Sequence, residues 1–322
     1  MSARVLTPAE APLAVSIADR YPYKPYRHHR VWSRARQLAI QRAELDRTLT
    51  GPGGFAVVTA AGEGEAAVTG RPLPWDSEFF GVPMGRLDGV FSDEALPDAA
   101  MAQAVALALA HLRSQGIRHV TAKLDAADVR AVGLLEDAGF RLVDALVTFY
   151  THPHRDVPPV VREVGHVRWY EPSDEAQVLA LTADAFRGFR GRFHLDPHLP
   201  TARADAFYVE WARQCCAGRM ADRMVVADDG QGQLYGWASS RLLEPLSSVG
   251  GTRLWVGSLG ACRRDTPGAY AGLLRRLAID HYERGDASES QTQNHNIATV
   301  RLYEAVGFRY IRTEYTMHAW LP

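Results

Sequence analysis

Tyr303 stands on a short predicted helix, Asn296–Val306, that ends at Gly307 and runs into Phe308. A phenol held this way can donate a proton to a departing group. Upstream, Arg263-Arg264-Asp265-Thr266-Pro267-Gly268-Ala269-Tyr270 opens another helix, expected over Ala269–Arg284. Thr266 reads as its N-cap, Pro267 as its first helical residue, and Gly268 as a point of close backbone approach. Such a start presents unsatisfied N–H groups and the positive end of a dipole, which suits an anion. Asp265 opposes it, and the alternative is a capped helix with two solvated arginines. A third group interleaves Arg187, Arg190 and Arg192 with Phe186, Phe189 and Phe193. Guanidinium forks suit diphosphates and aromatic faces suit rings, against the alternative of a solvated arginine face over core phenylalanines. His194 and Glu244 are the candidate proton acceptors, with His318 weaker. No serine or cysteine lies in a nucleophile elbow.

The elements that must position these groups fall into two runs. Helix is expected over Tyr26–Leu49, closed by Thr50-Gly51-Pro52-Gly53-Gly54, then strands at Phe55–Thr59, Ala66–Thr69 and Met84–Phe91. A helix over Ala100–Gln115, a strand over His119–Leu124, a helix over Val129–Ala138 and extended chain over Phe140–Tyr150 complete the first run. His152–Pro159 reads as a linker. The second run begins with a strand at Val167–Tyr170 and a helix capped near Ser173 that ends about Phe186, followed by a helix over Asp205–Cys216. Strands at Arg223–Ala227 and Leu234–Leu242 flank a hairpin turn, with another at Leu254–Leu259. After the Ala269–Arg284 helix come a strand at Ala287–Gln293, the Tyr303 helix and a final extended pair within Phe308–Trp320.

That order in the C-terminal half resembles the GCN5-related N-acetyltransferase (GNAT) fold. The resemblance extends to dTDP-fucosamine acetyltransferase-like enzymes through three stretches. These are Leu73-Pro74-Trp75-Asp76-Ser77-Glu78-Phe79-Phe80-Gly81, Ala185-Phe186 with Arg192-Phe193-His194-Leu195-Asp196-Pro197 and on to Trp211, and the helix-to-strand passage around Tyr303, Gly307 and Phe308. The resemblance implies an α/β chain of tandem GNAT-like domains, the C-terminal copy complete with a mixed, mostly antiparallel central sheet. It implies that acetyl-CoA, as co-substrate, enters between that domain's splayed fourth and fifth strands. Its pyrophosphate would rest on Arg263, Arg264, Gly268 and Ala269, with Asn296 as either a cap or a CoA contact. A backbone N–H near Leu259, Gly260 or Ala261 would polarise the thioester carbonyl, and Tyr303 would protonate the CoA thiolate. Arg187, Arg190, Arg192, Phe193 and Asp196 would face a nucleotide-sugar acceptor. The loop departs from the family pattern, because Tyr270 stands where a second glycine is usual.

Two segments match at a constant offset of 168 positions, Leu134–Arg141 on Leu302–Arg309, both reading Leu-x-Glu-x-x-Gly-Phe-Arg. The same offset carries Asp128 onto Asn296 and Thr148 onto Thr316. Each is a helix whose C-terminal glycine turns the chain into a strand. Tyr303 becomes Leu135 in the first copy, and the acidic Asp93–Asp98 segment, without glycine, replaces the loop at Gly268. The first copy is therefore expected to frame the site and the second to do the chemistry. The expected domains are an extension at 1–50, a degenerate copy at 51–152 and a catalytic copy at 160–322.

A net charge of −1 gives no pull toward nucleic acid or an anionic membrane. Three cysteines cannot build a disulfide framework or a four-ligand zinc site, and no group here demands a metal. No apolar run reaches the roughly 18 residues that span a bilayer, and the first residues lack a signal-peptide pattern. The expectation is a cytoplasmic acyl-CoA-dependent N-acyltransferase acting on the amine of a nucleotide-linked amino sugar, with a homodimer possible. Another small amine as acceptor, a malonyl-thioester decarboxylase, or a non-catalytic CoA- or nucleotide-sugar-binding module remain as alternatives.

Overall fold

A computed structural model describes residues 3–153, 155–162, 164–243, 251–266 and 268–322. The chain forms two compact units, one of residues 1–145 with 313–322 and the other of residues 146–312.

Unit 1 orders its strands β1 (Arg4–Val5), β2 (Phe55–Ala61), β3 (Gly64–Pro72), β4 (Met84–Ser92), β5 (His119–Asp125) and then the end of β12 (Arg309–Trp320). Among the described residues, only β4 and β5 of this unit pair in parallel, Met84–Leu87 against His119–Ala122. Alternation sends Val120, Ala122 and Leu124 of β5 inward. They pack with α4 (Asp98–Ser114) and α5 (Val129–Asp137), whose Ala104, Ala108 and Leu135 are wholly buried. α1 (Ala11–Arg20) and α2 (Arg34–Thr50) build a second core, in which Ile17 and Leu45 meet Val58 and Ala67.

Unit 2 repeats the plan. Residues 146–151 of β6 (Arg141–Thr151) come first, then β11 (Ala287–Gln293), β10 (Leu254–Cys262), β9 (Leu234–Leu242), β8 (Arg223–Asp228) and β7 (His166–Trp169). α6 (Glu175–Ala185) and α7 (Thr201–Cys216) follow β7, while α8 (Ala269–Glu283) and α9 (Ile297–Ala305) bracket β11. Each sheet is mixed and mostly antiparallel, with one parallel pair, β10–β11 in unit 2.

Four expectations change. β1 and α1 belong to the core of unit 1, so residues 1–50 are not an extension; the ten-residue α1 buries only Ala14, Ile17 and Ala18, too short a stripe to stand out. Trp75–Phe80, given no element above, is most of a short helix, α3 (Pro74–Phe80), ended by Gly81 at φ 68°. The helix expected from Tyr26 starts only at Arg34, and in the Arg27-His28-His29-Arg30 segment before it His29 is buried, stacked on Trp32 at 4.9 Å, and Arg27 ion-pairs with Asp125 at 2.7 Å. The final extended pair is one strand, since no turn residue interrupts Arg309–Trp320. Its residues Glu314–Trp320 pair with β5, while Leu146–Thr151 of β6 pair with β11. The units thus divide at 145/146 and 312/313, inside two strands rather than within His152–Pro159.

Candidate active site

β10 and β11 run together only from Leu254–Val256 against Ala287–Glu289. Beyond that β11 keeps its partner β6 as far as Gln293, β10 keeps β9 as far as Cys262, and a fork opens between them. A bulge between Gly257 and Gly260 sets Ser258 and Leu259 against Ser239 alone. Side chains hold it in shape. Ser239 Oγ donates to the Leu259 carbonyl at 2.8 Å and accepts the Leu259 N–H at 3.1 Å. Ser258 Oγ donates to Met220 O at 2.8 Å and accepts Trp211 Nε1 at 3.2 Å.

The register then decides which amides face the fork. Arg263 N–H donates to Tyr235 O at 2.8 Å, so alternation turns the Ala261 amide toward β9 and those of Gly260 and Cys262 away from it. Of the expected carbonyl-polarising group, Gly260 turns its amide to the fork, and so does Cys262, which the expectation left out. Leu259 is bonded to Ser239, and Ala261 faces β9.

At the foot of β10 the chain enters α8. The N-cap is Gly268 at φ 94°, a conformation that favours glycine, and not Thr266. Thr266 instead donates its hydroxyl to Arg263 O at 3.2 Å, and Pro267 lies outside the described residues. Arg263 grips Asp265 through Nε–Oδ1 at 3.0 Å and Nη2–Oδ2 at 2.6 Å, which lowers the Asp265 pKa and offsets its charge. Arg264 is exposed and Ala269 buried in the first turn. A positive-φ glycine, a helix start and a neutralised acid fit a pyrophosphate.

Tyr303, 4% exposed, lies on α9 beside Phe149 and Phe308 and donates its hydroxyl to Gln291 O at 3.1 Å, on the stretch of β11 that has left β10. Burial raises its pKa, so the phenol stays protonated, the state a proton donor needs. Asn296 is the α9 cap: its Oδ1 accepts Thr299 N–H at 3.3 Å and its Nδ2 donates to Thr292 Oγ1 at 3.1 Å. Burial also pushes the Cys262 and Cys216 thiols up, to about 12 and about 11. Neither supplies a thiolate nucleophile at neutral pH.

Between α6 and α7, Asp205 Oδ1 accepts both Gly188 N–H at 2.9 Å and His194 Nε2–H at 2.8 Å. The His194 side chain is 5% exposed and stacked on Tyr208 at 5.7 Å, with Nδ1 buried and without a partner among the described residues. Tyr208 stacks in turn on Trp211, which reaches the bulge. Arg187 and Arg190 are exposed, and the Arg192 guanidinium lies 4.5 Å from the Phe193 ring centre. Phe193 and Asp196 are buried and hold the loop, Phe193 against Phe207 and Asp196 by accepting His198 N–H at 3.0 Å. Glu244 lies outside the described residues, and His318 belongs to unit 1.

Residues the sequence reading passed over cluster on β11. Glu289 ion-pairs with Arg312 at 2.6 Å, with both side chains buried, and Gln291 donates to Thr148 Oγ1 at 2.9 Å. The available signal was the strand itself: Ala287–Gln293, Ala-Ser-Glu-Ser-Gln-Thr-Gln, has no large apolar side chain though it lies within the sheet.

A forked mixed sheet, a bulged strand beside the fork and a glycine-started helix below it define the GNAT fold in unit 2, and unit 1 repeats its plan without the glycine. A GCN5-related N-acetyltransferase from Sphaerobacter thermophilus superposes with a TM-score of 0.62 at 17% identity, covering 99% of this chain and 95% of that one. A tandem GNAT protein from the clavulanic acid biosynthesis pathway gives 0.53 at 16% identity over 99% and 98%. In sequence, the spore coat polysaccharide biosynthesis protein SpsD of Bacillus subtilis is 29% identical over 150 residues, 47% of this chain and 49% of that protein. The match therefore spans about half the length of that relative. No family model matches the chain.

Proposed function

We propose that the protein is an acyl-CoA-dependent N-acyltransferase whose site is in unit 2 and whose acceptor is the amine of a nucleotide-linked amino sugar. The observation that carries this is the β10–β11 fork, with the Gly260 and Cys262 amides on one side and the Tyr303 phenol on the other. Gly268, Ala269 and Arg264 would hold the CoA pyrophosphate. The acceptor nitrogen bonds to the thioester carbon while the C–S bond breaks and its electron pair goes to sulfur. Gly260 and Cys262 stabilise the charge gathering on the carbonyl oxygen, and Tyr303 gives its proton to sulfur. A sugar amine titrates near an α-amino group, about 8, so a modest base suffices. His194 takes that role, with Asp205 fixing the Nε2–H tautomer so that Nδ1 carries the lone pair. Arg187, Arg190 and Arg192 suit a diphosphate. The likeness to SpsD, a polysaccharide biosynthesis protein, supports a sugar acceptor of the kind used by dTDP-fucosamine acetyltransferase-like enzymes.

The test is titration calorimetry with acetyl-CoA, followed by thiol release with amino-sugar nucleotides. Binding together with turnover on such an acceptor is expected. Turnover only on other amines would move the acceptor class, and carbon dioxide release from malonyl-CoA would replace transfer by decarboxylation. Binding without turnover on any amine would leave a CoA-binding module.

A further inference from the structure

Where two neighbouring strands part, the sheet is open from one face to the other, and something must close it on the helix side. Tyr270, in the first turn of α8, does so. It packs against the apolar cluster of Phe149, Tyr303 and Phe308, and also against that of Val225, Ala227 and Ala238. These clusters lie on opposite sides of the fork, under β6 and β11 and under β8 and β9 respectively.

The ring reaches β10. Its Oη lies 2.7 Å, and its Cε2 2.8 Å, from the point a Cβ at Gly260 would occupy. Gly260 is therefore glycine because the phenol already fills its side-chain space, and any larger residue would displace the ring. Tyr303 belongs to the first of these clusters and Cys262 packs on the second, so Tyr270 lies close to both groups. A thioester carbonyl held by the Gly260 or Cys262 amide would direct its acyl chain toward this ring.

We propose that Tyr270 is the floor of the acyl chamber and restricts the acyl group to acetyl, a specificity that rests on the acyl-CoA reading above. An alkyl tail makes no hydrogen bond with the phenol, so the residue discriminates by volume alone. Each further methylene would have to displace a side chain packed on two clusters.

The experiment is calorimetry with CoA and with the non-hydrolysable thioether analogues of acetyl-, butyryl- and hexanoyl-CoA, on the full chain and on Tyr270→Ala and Tyr270→Leu. The wild type is expected to bind the butyryl analogue at least about tenfold more weakly than the acetyl one. Tyr270→Ala should erase or invert that ratio, Tyr270→Leu should give an intermediate ratio, and CoA itself should bind all three alike. A wild type that takes hexanoyl as readily as acetyl overturns the floor, whether or not the alanine variant folds. So does an unchanged ratio in a variant that still binds CoA. If the wild type binds neither CoA nor its thioethers, the acyl-CoA reading itself falls and the floor with it.

Discussion

β5 and β11 occupy the same place in their two units, and the 168-residue offset superposes their sequences. On the face toward the following helices, Val120, Ala122 and Leu124 of β5 become Ser288, Ser290 and Thr292 of β11. The first set joins a hydrocarbon core; in the second, Ser288 pairs with His281 and Thr292 with Asn296. The loops before the long helices differ in the same sense. In unit 1 the Arg130 guanidinium donates to Asp98 at 2.7 Å, to the Asp93 carbonyl at 3.2 Å and to the Leu96 carbonyl, while Arg20 binds the Asp93 carboxylate. A cation built into the protein sits where unit 2 presents Gly268. The fold survives either filling, so the fork is a property of the backbone, and function depends on whether side chains leave it open.

Exchanging residues between the copies tests this most severely. Tyr303→Phe should lower turnover by about 100-fold or more with little change in melting temperature. Leu135→Tyr should add no activity and should destabilise unit 1 by about 1–3 kcal/mol, because a hydroxyl would be forced among aliphatic side chains. An active Tyr303→Phe variant would remove the proposed acid. Next, Gly268→Glu should weaken CoA binding by about 30-fold or more, through both its φ and its charge. Arg130→Ala should leave CoA affinity unchanged while costing about 1–3 kcal/mol in denaturant unfolding, since it strips donors from two carbonyls. If Arg130→Ala instead made unit 1 bind CoA, the first copy would be plugged rather than decayed.

His281 separates the units by pH. Its Nδ1 meets Ser288 Oγ at 2.7 Å and its Nε2 meets Ser240 Oγ at 3.0 Å, and burial lowers its pKa to about 3. The folded state therefore binds the proton less readily than the unfolded chain. Stability from this group is complete above about pH 6.5 and drains away as pH falls toward 3, by a total on the order of 5 kcal/mol. Chemical unfolding across that range should show the slope, and His281→Phe should flatten it. The smallest effect belongs to Arg264→Ala, a few-fold rise in the Kd for CoA that fades with added salt.

Much of this was legible in the chain. Helices with strong apolar periodicity, such as Ala269–Glu283, and alternating strands, such as His119–Asp125, fell where expected. The Tyr303/Leu135 exchange pointed to the more polar unit. What escaped is non-local. Whether Thr266 caps α8 or bonds back to Arg263 depends on a loop geometry that propensity does not encode. That Leu259 spends its amide on Ser239 follows from a bulge at Leu259 that sets it against a residue twenty positions away in sequence. Phe193 and Asp196 looked like a binding surface because aromatic and charged residues alternate there, yet both are buried, Phe193 by packing on Phe207 of α7.

The crossing of β6 and β12 has a consequence for how the protein is made. On the ribosome the free edge of β5 has to wait for residues 314–320, made after the whole of unit 2, before unit 1 gains its sixth strand. Unit 2 draws its own edge strand from residues 146–151, made before the rest of that unit. Neither copy can be completed from its own half of the gene, so a break at 152 leaves each product with an unpaired edge prone to pair with other chains. Unit 1 is thereby tied to unit 2, since its last strand is made only after all of residues 146–312.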